Sequence, residues 1–189
     1  MVGSAVLYAL IATTPGPTAG LAKDLVSSKV VEGEVTLDLD RDGKTDRAVL
    51  VRNSANASVD LYIYFGAGGD TLDVSRRPTI LKKDIAGGAA TAIESGHNCG
   101  LTIKYGCGGC SNDTATELKL VYRSGKVLVS GFTLDWDTRS AIGSCDVNFL
   151  TGKGFVKHGL GHGGKPIKVH SSPVALSAWS HDMIVKICP

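Results

Sequence analysis

The sequence lacks several things, and each absence narrows what the chain can be. It has no surplus of either charge: 20 Lys and Arg stand against 18 Asp and Glu. A net charge of +2 leaves no electrostatic footprint for a nucleic-acid partner. The apolar run Ala5-Val6-Leu7-Tyr8-Ala9-Leu10-Ile11-Ala12 falls well short of the roughly 20 residues a membrane span needs. No Lys or Arg precedes that run, so the basic opening of an export signal is missing, and no cysteine follows at which a lipoprotein anchor would attach. Thr18-Ala19-Gly20 still offers the small residues of a cleavage site. Residues 1–20 therefore read as an atypical or truncated export signal, with a periplasmic or secreted product. The competing reading is a cytosolic protein whose short apolar segment is buried.

What is present points to strands. The 24 glycines and the short apolar runs bounded by Gly, Asn, Asp and Ser imply many tight turns. Residues 21–189 are long enough for one domain with a sizeable core. The expected fold is all-β, with antiparallel hairpins in a compact single domain, partial-propeller-like or sandwich-like. Residues 117–136, turning at Ser124-Gly125, read as one hairpin; 146–150 and 154–158, joined through Thr151-Gly152-Lys153, read as another. Residues 76–85 read as a solvated loop and edge strand, and the segments after Pro166 as strand-like.

The densest chemical signal is Asp38-Leu39-Asp40-Arg41-Asp42-Gly43-Lys44-Thr45-Asp46. Carboxylates stand at relative positions 1, 3, 5 and 9, and the glycine at position 6 can take the positive φ of a sharp turn. Four acidic side chains converging on one turn repel one another unless a cation lies between them. Ca²⁺, with six to eight oxygen ligands at about 2.3–2.6 Å, suits such a set. The expected ligands are Asp38, Asp40, Asp42, the carbonyl of Lys44, and Asp46 either directly or through a water. The alternative is a solvated acidic turn whose Asp side chains only cap the backbone. An EF-hand is excluded, because Val49 stands where its bidentate Glu belongs and the flanks alternate as strands rather than helices.

Residues 34–66, with the acidic loop, the apolar strand after it and Tyr64-Phe65-Gly66, resemble an FG-GAP or VCBS-type repeat. These are the calcium-loop blade elements of integrin-like β-propellers and many bacterial secreted proteins. Only one copy is present, whereas a propeller needs several blades. The resemblance implies calcium on Asp38, Asp40, Asp42, Lys44 and Asp46.

Five cysteines, Cys99, Cys107, Cys110, Cys145 and Cys188, allow at most two intrachain bridges and leave one thiol over. The Cys107-Gly108-Gly109-Cys110 pair permits zinc binding, a redox pair or structural disulfide bonding at a hairpin tip; export favours the last. Cys188, beside the terminal Pro189, is placed to staple the tail.

Other apparent sites are weaker. Gly159 to Lys165 has phosphate-loop spacing, but Pro166 replaces the Mg²⁺-binding hydroxyl and no helix pattern follows. His158 and His162 lie in a Gly-rich strip with no third ligand placed by sequence. Ser180-His181-Asp182 holds the triad residue types, but as neighbours on a strand they would point to opposite faces. Asp135 and Asp137 flank Trp136 and share a strand face about 7 Å apart, a spacing open to paired-carboxylate chemistry. The function expected from the whole is an exported calcium-binding β domain working without catalysis on a protein partner, as an inhibitor or immunity protein against a cell-wall-degrading enzyme. The competing class is a secreted or periplasmic hydrolase acting on carbohydrate or peptide.

Overall fold

Alternating apolar and polar residues give each strand a face to bury, and two antiparallel sheets bury those faces against each other. The computed structural model describes residues 29–53, 58–66, 77–87, 90–107, 112–139, 141–159 and 163–188. The first sheet has four strands in the order β1 (Lys29–Leu37), β2 (Asp46–Asn53), β3 (Val59–Tyr64) and β4 (Ile80–Ala86). The second has eight. Its strands are β5 (Ala90–Ser95), β6 (Leu101–Cys107), β7 (Asn112–Arg123), β8 (Lys126–Thr138), β9 (Ile142–Asn148), β10 (Lys153–His158) and β11 (Gly164–Lys168), neighbours in sequence being neighbours in space. The short β12 (Val174–Ala175) pairs with β8 off this path.

Leu50, Leu61 and Ile63 from the first sheet and Ile103, Leu118, Val129 and Phe132 from the second belong to one buried cluster. That shared core makes the domain sandwich-like, in one compact unit and without a closed barrel. The sheets adjoin where β1 runs beside β5. No helix among the described residues is long and apolar enough to cross a membrane.

The expected hairpins form as β7–β8 and β9–β10, and β4 is an edge strand. One expectation needs correction. The chain after β12 is not strand: a 3-10 turn at Leu176–Ala178 leads to the helix α1 (Asp182–Ile187). The tail is drawn into the core, with Trp179 and Ile184 buried and Cys188 disulfide-bonded to the buried Cys145 at a Cα–Cα distance of 6.1 Å. This is the staple expected of Cys188. Cys107 is also disulfide-bonded, and among the described residues Cys99 is the free, exposed thiol; Cys110, residues 1–20 and His162 lie outside the described residues.

Strand β2 is apolar on both faces. Ala48 and Leu50 face the core, while Val49 and Val51 join Tyr62 and Tyr64 of β3 in a second small buried cluster on the outer side of the four-stranded sheet.

Candidate metal centre

The loop that turns β1 into β2 is held by its own carboxylates. Asp40 Oδ1 accepts the Asp42 amide at 3.1 Å, Asp42 Oδ1 accepts the Lys44 amide at 2.8 Å, and Asp38 Oδ2 accepts the Gly43 amide at 3.0 Å. Gly43 takes the expected left-handed conformation, with φ 83°. Arg41 also has a positive φ, 65°, which is uncommon for a residue with a side chain. Its guanidinium donates to the Asn98 carbonyl in the 3-10 turn His97–Cys99 that precedes β6, at 2.7 Å. The loop is thereby tied to the larger sheet.

These turns gather Asp38, Asp40 and Asp42. Each offers a carboxylate oxygen, and the three oxygens lie within 4.8 Å of one another. Asp38 Oδ1 is buried and has no hydrogen-bond partner among the described residues. A buried, unpaired carboxylate oxygen costs free energy unless a proton donor or a cation meets it. The donor set is all oxygen, which suits a hard cation such as Ca²⁺ and not zinc. Lys44 brings its ammonium to the rim, 3.5 Å from Asp42 Oδ2, where it offsets part of the negative charge.

Asp46 stands apart from this group. Its Oδ2 accepts the amides of Leu39 and Asp40 at 2.8 and 3.4 Å, and its Oδ1 accepts the Gly66 amide at 2.8 Å. The residue is only 1% exposed. Burial raises its carboxyl above the ordinary value, against the opposing pull of the amide hydrogen bonds. Asp46 thus clamps the loop's entry to the end of β3. A side chain at position 66 would run into the Thr45 carbonyl, so the clamp requires the glycine of Tyr64-Phe65-Gly66. The sequence shows an acidic residue at position 9 of the loop; it does not show that an amide 20 residues away claims it.

The other candidate residues disperse. Asp135 and Asp137 are exposed on one face of β8, with Asp113 of β7 directly opposite Asp137. They line an open groove of about 630 Å³ with Glu117 and Lys104. Trp136 is partly buried, its ring edge-on to His158 at 5.7 Å between centroids. Ser180, His181 and Asp182 form the turn into α1 rather than a strand, so the reason for discounting them changes; His181 Nδ1 lies 3.4 Å from the Tyr105 hydroxyl. Gly164 to Lys168 is strand β11, so no helix follows the glycine-rich strip.

The chain matches no protein-family model, and no curated protein or solved structure matches it.

Proposed function

We propose that this chain is a calcium-stabilised β domain that binds a protein partner outside the cytoplasm without catalysis. The observation that carries the reading is the convergence of Asp38, Asp40 and Asp42, with the buried Asp38 Oδ1 left without a partner among the described residues. Asp38, Asp40 and Asp42 would hold the ion, which would neutralise the loop and stabilise the folded state by linkage. The Cys145–Cys188 bridge fits a compartment in which disulfides persist. The outer face of the eight-stranded sheet, mixed in charge through the ion pairs Lys104–Glu94, Lys104–Glu117 and Lys119–Asp146, is the broad surface a protein partner would meet. An inhibitor or immunity protein directed at a cell-wall-degrading enzyme is the role we assign, by analogy with exported proteins bearing a lone repeat of this type.

Thermal unfolding with millimolar CaCl₂ and with EGTA tests the metal. Calcium at a hundred times its Kd contributes about 2.7 kcal/mol, a rise in Tm of about 5–10 °C for a domain of this size. Asp40→Ala and Asp42→Ala should abolish the rise. No calcium effect on the parent chain would sink the proposal.

A second reading draws on the groove that Asp113, Asp135 and Asp137 line. A hydrolase would lose turnover of peptidoglycan or oligosaccharide substrates in Asp135→Asn while keeping its Tm. The binding module predicts no turnover to lose.

A further inference from the structure

Between the end of β11, the segment 169–174 that leads into β12, and helix α1 lies an open cavity of about 670 Å³. Helix α1 contributes Met183, Lys186 and Ile187, which stand three and four residues apart and so share one face. Phe149, Ile167, Val169 and Val174 supply the rest of the apolar wall. Phe149 is buried, but the other five apolar side chains are only partly buried where they pack against the core, and the cavity takes the surface they leave open. The walls are fixed in advance. The Val169 amide donates to the Gly152 carbonyl at 3.1 Å, and Cys188, directly after α1, is bonded to Cys145.

The ionisable side chains at this cavity are all basic. Lys168, His170 and Lys186 line it and are exposed, so they stand at its mouth, and no described carboxylate lines it. Neither lysine forms an ion pair among the described residues. Lys153 of β10 stands directly opposite Lys168 on the same face, and two like charges so placed repel. Asp146, on that face of β9 by register, is engaged elsewhere, by Lys119 at 3.4 Å and by the Thr133 hydroxyl at 2.7 Å. An apolar interior with a basic mouth is complementary to a molecule that is apolar along its length and anionic at one end.

We propose that this cavity binds a single long-chain carboxylate, its hydrocarbon chain against Ile167, Val169, Met183 and Ile187 and its carboxylate between Lys168 and Lys186. The volume lies within the roughly 300–1,000 Å³ usual for small-ligand sites, and Met183 brings the adaptable side chain that suits a flexible ligand. Other occupants suit the cavity less. A peptide carries a polar amide at every residue, which an apolar wall leaves unpaired. A second copy docked about a two-fold axis would bring Lys168 and Lys186 against their own counterparts. The cavity shares no residue with the acidic loop, so it stands or falls apart from calcium.

Titration of the full chain with cis-parinarate, a long-chain carboxylate that fluoresces when sheltered from water, tests this. The parent should bind it saturably as a monomeric complex, and oleate should displace it where oleylamine does not. Lys168→Glu combined with Lys186→Glu should weaken binding by about tenfold or more, the worth of one charge-assisted hydrogen bond, at the parent's Tm. Lys83→Glu, on β4 of the other sheet, should bind as the parent does. Both cavity lysines are exposed, so the double variant should fold; should it not, Lys168→Gln with Lys186→Gln carries the same expectation. No saturable binding, displacement by oleylamine as readily as by oleate, or parent-like affinity in the double variant overturns the proposal. So does binding to phosphatidylglycerol vesicles with none to monomeric cis-parinarate, which would mark a membrane surface, or a complex that sediments as a dimer, which would mark an interface between copies.

Discussion

Arg41 Nη2 and the Asn98 carbonyl, 57 residues apart in sequence, meet at 2.7 Å and join the acidic loop to the turn between β5 and β6, at one border of the larger sheet. Both residues hold positive φ, 65° and 55°, so each end of the link sits in a backbone conformation that a side chain disfavours. Because the bond is exposed, its loss should be modest. Arg41→Ala should cost about 0.5–1 kcal/mol. Amides of residues 96–100, where Gly96 and Gly100 bond across the turn, should exchange faster. Native-state hydrogen exchange reads both effects, and a change confined to the loop itself would show that the link does not couple the two sites.

Asp46 should behave as a clamp whether or not metal is present. Asp46→Ala leaves the buried Leu39 amide and the Gly66 amide without their acceptor, a loss of about 3 kcal/mol. Asp46→Asn, with one oxygen left, should cost less. The deficit should be the same in EGTA as in calcium. Denaturant unfolding in both buffers measures it, and a deficit seen only in calcium would make Asp46 a ligand instead.

Tyr105 carries the clearest dependence on pH. It is 5% exposed, and burial pushes its hydroxyl from 10.0 up to about 12, with the Thr116 hydroxyl acting in the opposite sense. A folded-state value above the unfolded one means stability that is complete below pH 10 and lost as pH rises towards 12. The loss approaches about 2–3 kcal/mol. Tyrosinate absorbance should therefore show a late-titrating component that shrinks in Tyr105→Phe, leaving that of Tyr64, whose burial also raises its hydroxyl, and the variant's stability should fall less between pH 10 and 12 than the parent's.

Breaking the bridge between Cys145 and Cys188 should release the tail. The two are 43 residues apart, and opening a loop of that size costs about 4 kcal/mol on the chain-entropy account. Cys188→Ser should lower Tm and shift Trp179 emission to the red, since that indole is 2% exposed against Phe132 and Phe149. An unshifted emission spectrum would show that packing alone holds the tail.

What the sequence discloses and what it hides divide along the range of the forces involved. The β7–β8 hairpin was legible because alternation and the Ser124-Gly125 turn are local, and both residues take the positive φ of such a turn. Gly43 was legible for the same reason. Helix α1 was not: Ile184, Val185 and Ile187 are β-branched, and a six-residue helix is set by the pull of Trp179 and Cys188 into the core rather than by propensity. The acidic cluster was legible in Asp38, Asp40 and Asp42, whose spacing is a property of one turn. The amide bond that Asp46 makes was not legible, because its partner, the Gly66 amide, arrives from the far end of β3.

The free borders of the two sheets have their own consequence. At the borders away from the β1–β5 contact, the four-stranded sheet ends on β4 and the larger sheet on β11 among the described residues. Strand β4 carries Lys82 and Lys83 and is kinked at Asp84, whose φ is 53° and whose amide is taken by Asp60. Strand β11 carries Lys165 and Lys168 around Pro166, which has no amide proton to offer. Charge, a kink and a proline are the features that stop one copy from adding its strand to the next. At these two borders the strand-to-strand hydrogen bonding of a neighbouring copy would meet charge, a kink and a missing amide, the features that oppose extension of a strand-rich chain into a fibril.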